Sequence, residues 1–256
     1  MKTIILTIIS MLLIGGSLQA QFTRFPMQGT IEFEKKANMH AILKSEITKD
    51  NEAYMTQILD QYKKTQPQFM TMKSTLQFSK DKSLFTPAEE PSSTASRYSS
   101  HPSVQQINTV FNDFATHTSS VQKKVFEQTF LIRDSIRNVK WKITDETREI
   151  AGYSCRRANG LILDSIYVVA FYTDQIPVAS GPETFSGLPG MILGVALPHV
   201  HVTWFATSVT DKPLEKPLAS PTKGKATNYK GLVATFDSLI KSYGEQARKY
   251  FQAFML

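Results

Sequence analysis

The segment GTIEFEKKAN, residues 29–38, alternates Ile31 and Phe33 with Glu32 and Glu34. A period of two gives an extended chain one apolar and one wet face, so the segment is predicted to be a β-strand with one side in the core. The same alternation returns in MKSTLQFSKDKSLFTP (72–87), which reads as one further strand. It then becomes dense between Val104 and Val209, in VQQINTVFNDF, VQKKVFEQTFLI, VKWKI, REIAGYSCRRA, SIYVVAFYT and HVHVTWFATSV. Asp134-Ser135, Thr144 to Glu146, Gly152, Asn159-Gly160 and the proline-glycine stretch 177–190 punctuate these pieces. The pattern predicts a meander of antiparallel strands, with no βαβ rhythm and no repeat of fixed period.

Two stretches follow helical spacing instead. Tyr54, Ile58, Leu59 and Tyr62 form one stripe between Asp50 and about Thr65, with Pro67 as the stop. Leu232, Val233, Phe236, Leu239, Ile240, Tyr243, Ala247, Phe251 and Phe254 form a second, predicting a helix over about 230–254 whose apolar face packs on its own sheet. The expected class is therefore α+β, mainly β: a curved antiparallel sheet, open like a half-barrel, covered by one or two amphipathic helices. The polar, Pro/Ser-rich run at about 87–103 is expected to be an exposed, mobile loop within a single domain, 21–256.

The N-terminus, MKTIILTIISMLLIGGSLQAQF, places Lys2 before an apolar run from Ile4 to Ile14 and then small or polar residues ending at Ala20. That is the pattern of a secretory signal peptide, 1–20, cleaved after Ala20. The run is short against the roughly 20 residues of a membrane span, and no cysteine follows it to accept a lipid. Export to the periplasm or medium, without a transmembrane segment in the mature chain, is the expectation. Only one cysteine is present, Cys155, so no internal disulfide forms in that oxidising setting. Its apolar-polar context predicts a structural thiol. The net charge of +7 and pI near 9.3 come from scattered lysines and arginines, with no basic run or aromatic-basic motif, which argues against nucleic acid as a partner.

No Gly-x-Ser-x-Gly, His-Glu-x-x-His, phosphate-binding loop or paired-cysteine metal pattern occurs. A non-enzymatic protein without a cofactor is expected, the alternative being a hydrolase whose site assembles from distant residues. His199 and His201 are the only close histidine pair. On a strand they would project from one face about 7 Å apart, a spacing at which both can bind one metal ion. The third ligand is missing locally; His117 and Asp113 are the candidates to supply it, and surface residues are the more ordinary reading. Trp141, Tyr153, Phe171 and Trp204 are core aromatics that a curved sheet can turn into the lining of an apolar pocket. That is the route by which residues alone point to a binding function, toward an apolar small molecule or an envelope protein.

FSGLPGMI, residues 185–192, joins two of the predicted strands. Its glycines permit positive φ and its proline fixes φ, so Gly187, Leu188, Pro189, Gly190, Met191 and Ile192 are expected to make a compact structural turn with Phe185, Leu188 and Met191 buried. These residues resemble the signature of the GLPGLI family, exported proteins typical of the Bacteroidetes, with Met191 in place of the motif's second leucine. FLIRD, VKWKI, ETREIAGYSCRRA, VVAFYTDQIPVASGP and FSGLPGMIL fall in that family's order over roughly Val121 to Thr210, and GTIEFE is similar to its usual first strand. The resemblance implies an exported, mainly antiparallel β protein of unassigned biochemistry, with no catalytic residue to carry over. By analogy, the expected sheet and helices are similar to the open half-barrel of periplasmic lipoprotein carriers, whose concave face holds acyl chains.

Overall fold

The structure is a computed structural model, and it describes residues 25–88, 101–105, 108–125, 127–163, 165–243 and 253–255. The expected signal peptide, 1–20, lies outside the described residues, as do 89–100 of the expected loop at 87–103 and 244–252 of the expected C-terminal helix. One open sheet of twelve strands organises the fold: β1 (Gly29–Asn38), β2 (Phe69–Phe78), β3 (Lys82–Pro87), β4 (Asn108–Asp113), β5 (Thr118–Val125), β6 (Gln128–Ser135), β7 (Lys142–Ile150), β8 (Tyr153–Ile162), β9 (Ile166–Thr173), β10 (Met191–Leu197), β11 (Val202–Thr210) and β12 (Lys225–Thr227). Their order across the sheet is β12-β6-β5-β4-β3-β2-β1-β11-β10-β9-β8-β7. Neighbours pair antiparallel except β12, which runs parallel to β6, so the sheet is mixed rather than wholly antiparallel.

The alternation of β1 is realised as expected: Ile31, Phe33 and Ala37 are buried on one face. Partners directly opposite in an antiparallel pair share a face. Through Ile31↔Leu76, Leu76↔Phe85, Phe85↔Val110, Val110↔Val121 and Val121↔Ile132, the inner side runs as one apolar row from β1 to β6. Three helices accompany the sheet. α1 (Met39–Ser45) starts where β1 ends, its first turn capped by the Asn38 side chain accepting from the Ala41 amide at 3.2 Å. α2 (Glu52–Thr65) packs on α1, burying Leu59 and Tyr62 while Tyr54 stays exposed. α3 (Tyr229–Tyr243) buries Leu232, Phe236 and Ile240 beside β6, and the 3-10 turn Ala253–Met255 returns Phe254 to within 6.3 Å of the Phe236 ring. Among the described residues no helix is long and apolar enough to cross a membrane.

Several boundaries differ from the sequence expectation. MKSTLQFSKDKSLFTP is a hairpin, β2–β3, not one strand, and VQKKVFEQTFLI likewise folds back into β5 and β6. In both, the alternation continues through a turn lacking proline and glycine, so periodicity alone does not reveal the reversal. Pairing of VKWKI begins only at Lys142. The most consequential difference is MILGVAL: it is strand β10, buried along nearly its whole length. The structural turn therefore ends at Gly190, and Met191 and Ile192 open a strand.

Candidate functional site

The register separates the four aromatic residues expected to line one pocket. Trp204 lies opposite Val195 of β10, and Val195 opposite Ala170 of β9, so these three share a face. Phe171 is the next residue along β9 and points to the other side, aligned with Gly194 and Phe205. There its ring is 6.4 Å from Phe205, and the Arg148 guanidinium lies 4.8 Å from the Phe205 ring and 5.7 Å from that of Phe171. Tyr153 has the same parity as Arg157, the partner of Phe171, and joins that second face. Trp141 packs over Gly160 on the inner side and donates from Nε1 to the Ser186 carbonyl at 2.9 Å. The structure thus brings Trp141 and Trp204 to one face and places Tyr153 and Phe171 on the other.

What fills the inner face is the chain itself. The connector 174–190, between β9 and β10, closes on itself through Ser180 N to Val178 O (2.8 Å), Gly187 N to Ala179 O (3.2 Å) and Met191 N to Ile176 O (3.0 Å). Ile176, Val178, Phe185 and Leu188 are all buried. The Phe185 ring meets Trp204 at 5.9 Å, and Ser180 Oγ donates to Ser83 Oγ on β3 at 2.8 Å. Two cavities border this packing, of about 10 and 20 Å³, each with room for roughly one water. A larger one, about 270 Å³, is bordered by Glu32, Glu34, Lys73, Thr75 and Thr207 together with Phe33 and Ala88, a mixed polar and apolar lining.

The tip of the connector carries the charged part of the site. Glu183, with φ +52, accepts from Asn108 Nδ2 at 2.9 Å and lies among Lys35 of β1 and Lys123 of β5. Lys35, Lys123 and Glu183 are only 4%, 2% and 3% exposed. Lys35 Nζ donates to the carbonyls of Gln105 (3.1 Å) and Val104 (3.4 Å) and lies 5.1 Å from the Trp204 ring centre. Lys123 Nζ donates to the Phe254 carbonyl at 2.6 Å. Burial lowers both ammonium groups to about 8, with Glu183 pulling them back up. Burial likewise pushes the Glu183 carboxyl above the ordinary range, against the two lysines and the Asn108 hydrogen bond. These groups also report the shape of the sheet. β1 and β4 are three strand steps apart, about 14 Å along a flat sheet, yet Lys35, Asn108, Trp204 and Glu183 border a single cavity of about 20 Å³. Curling of the sheet, with the reach of the Lys35 side chain and the connector, accounts for this convergence.

Part of this cluster is signalled in the sequence. Lys35 occupies the apolar parity of Ile31, Phe33 and Ala37, and Lys123 that of Val121 and Val125. A lysine on the buried stripe of an alternating strand needs a buried partner. Nothing local marks Glu183 or Asn108 as that partner.

His199 and His201 are not on a strand. They lie in the turn after β10, where His201 has φ +59 and its carbonyl accepts from the Asn38 amide. Asp113 ends β4 and His117 lies in the turn to β5, with β4 four strands away from β11. Among the described residues no group of three or more His, Cys, Asp or Glu side chains is placed to hold a metal ion. Cys155 is fully buried, and burial pushes its thiol up to about 12, so it is not a nucleophile at neutral pH.

A family model described as a protein of unknown function (Porph_ging) matches residues 161–194, a span that holds β9, the whole connector and the first residues of β10. No curated protein matches the chain. Among solved structures, PNGF-II in its C2 crystal form is similar, with a TM-score of 0.51 and 14% identity, covering 84% of this chain and 32% of that one. Its P21 form gives 0.50 and 14%, covering 84% and 33%. The likeness is one of fold, and the chain spans about a third of the length of that protein.

Proposed function

We propose that this chain is an exported, non-enzymatic protein of the cell envelope, of the GLPGLI group, and that it acts by binding another envelope protein rather than an apolar small molecule. The observation that carries the choice of partner is the connector 174–190: its buried Ile176, Val178, Phe185 and Leu188 occupy the inner face that an acyl chain would need, and the cavities of about 10 and 20 Å³ that border it have room for about one water each. A protein partner has an available surface. β7 ends the sheet with no strand on its outer side among the described residues, and almost all of it is exposed. Such an edge offers unpaired backbone groups to an added strand. The non-enzymatic reading draws support from Lys35, Lys123 and Glu183, whose convergence lies beneath the surface where no substrate atom reaches them.

Photo-crosslinking in the source envelope tests the reading. A crosslinker at exposed Thr147 of β7 is expected to capture one defined protein that a crosslinker at exposed Lys124 of β5 does not. Equal capture from both positions, or a lipid retained in native mass spectrometry, overturns it. Export is checked on the same material, where N-terminal sequencing is expected to begin at Gln21.

A further inference from the structure

The buried charges are distributed in a way that packing alone does not require. Three segments outside the sheet meet at its inner face: 101–105, the connector 174–190 and the turn 253–255. Each is tied down by a polar side chain of a different strand. Lys35 of β1 donates to the carbonyls of Val104 and Gln105, Lys123 of β5 donates to that of Phe254, and Asn108 of β4 donates to Glu183. Residues from all three segments, Ser103, Gln105, Glu183 and Ala253, border the same small cavity as Lys35.

We propose that Glu183 is the shared counter-ion of one ionic latch, which holds 101–105, 174–190 and 253–255 closed as a single cooperative unit. The charged groups at this point are Lys35, Lys123, Glu183 and, acting on Lys123, Arg137, whose Nη2 donates to the Met255 carbonyl at 2.9 Å. Glu183 is the one carboxylate among the described residues that acts on both lysines. In a medium of low dielectric a buried ammonium persists only with compensation. Without the Glu183 charge, each lysine either sheds its proton or moves to water, and in both cases its hold on the carbonyls it bonds weakens. Segments 101–105 and 253–255 then loosen along with the connector. The consequence is a regulated covering for the inner face, opened by neutralising one side chain rather than by dislodging three contacts separately.

Hydrogen exchange followed by mass spectrometry on the full chain tests the latch. In Glu183→Gln, exchange is expected to rise at least tenfold together in 101–105, 174–190 and 253–255, through an opening that leaves β8 and β9 still protected. Ser180→Ala, which breaks the bond to Ser83 within the same connector, is expected to speed 174–190 alone. The wild type supplies an independent reading should Glu183→Gln not fold: in low urea the three segments are expected to exchange through one opening of common urea slope. A rise confined to 174–190 in Glu183→Gln, or distinct slopes in the wild type, overturns the proposal.

Discussion

Replacing Glu183 by Gln removes the only carboxylate that acts on Lys35 and Lys123 among the described residues, leaving two buried lysines to the carbonyls of Val104, Gln105 and Phe254. Breaking a buried ionic group in this way costs about 3–5 kcal/mol, and urea unfolding of Glu183→Gln is expected to show a loss of that size. Lys35→Met has a different consequence, because it leaves one lysine facing one carboxylate. It forfeits bonds to two carbonyls but removes a surplus charge, so a net change within about 1 kcal/mol is expected. The two substitutions also differ in pH dependence. Lys35 and Lys123 sit at about 8 when folded and return to 10.5 when unfolded, so between those values the unfolded chain holds more protons. Stability from this source therefore rises with pH across 8 to 10.5, and the burial penalty is complete below 8. Glu183 has the opposite sign: its carboxyl is raised from the ordinary 4.5 by burial, so the folded chain keeps a proton longer and its contribution falls as pH rises from 4.5 toward its raised value. From pH 7.5 to 9.5 the stability of Lys35→Met relative to wild type is expected to fall by about 2 kcal/mol, the relief that only the wild type gains. Parallel pH profiles for the two proteins would show that Lys35 is not titrating in that window.

At the scale of elements, the junction between β9, the connector and β10 depends on Gly190. Its φ is +144, and a Cβ there would lie 2.1 Å from the Thr173 carbonyl oxygen and 2.8 Å from the carbonyl carbon, both backbone atoms of the strand it pairs beside. Gly187, with φ +91, has nothing nearer to such a Cβ than Trp141 Nε1 at 3.8 Å. Gly190→Ala is expected to cost more than about 3 kcal/mol or to abolish soluble expression, whereas Gly187→Ala costs the conformational penalty alone, about 1–2 kcal/mol. Thermal melts of the two variants make the comparison, and equal losses would contradict it. The motif's importance for folding was readable in its prolines and glycines; its position across the inner face was not. Elements with one wet face, such as β1, announce themselves by alternation. β10 does not, because MILGVAL is buried on both sides and its apolar run has no period. α1 is hidden for another reason: seven residues follow a capping Asn38 that reads as the end of a strand. In the site, Lys35 and Lys123 were legible as misplaced charges on apolar stripes, while Glu183 and Asn108 join them only through the curl of the sheet. The pocket expectation failed on parity, since Phe171 and Trp204 are both strand aromatics and only the pairing through Gly194 and Val195 decides their faces.

For the whole molecule, curl and connector together make the two ends of the sheet depend on each other. β5 and β9 are far apart in the strand order, yet the segment leaving β9 brings Glu183 to Lys123 of β5, and its Ser180 bonds to β3. The buried apolar residues form one contiguous cluster that runs from Ile31 through Val121 and Ile132 to Trp204 and Phe254. A split of the sheet between β1 and β2 would expose that cluster on both fragments and also part Glu183 from Lys123 and Asn108, although not from Lys35, so partial unfolding has no favourable halfway state. Urea unfolding is therefore expected to be a single transition. Three probes check it from different places: fluorescence of Trp141 and Trp204 beside the connector, alkylation of buried Cys155 on β8, and hydrogen exchange of the β5–β6 hairpin. Coincident midpoints follow if connector and sheet unfold as one. An earlier midpoint for β5–β6 would mean that this end of the sheet is held by its own hairpins, with the connector contributing nothing to its stability.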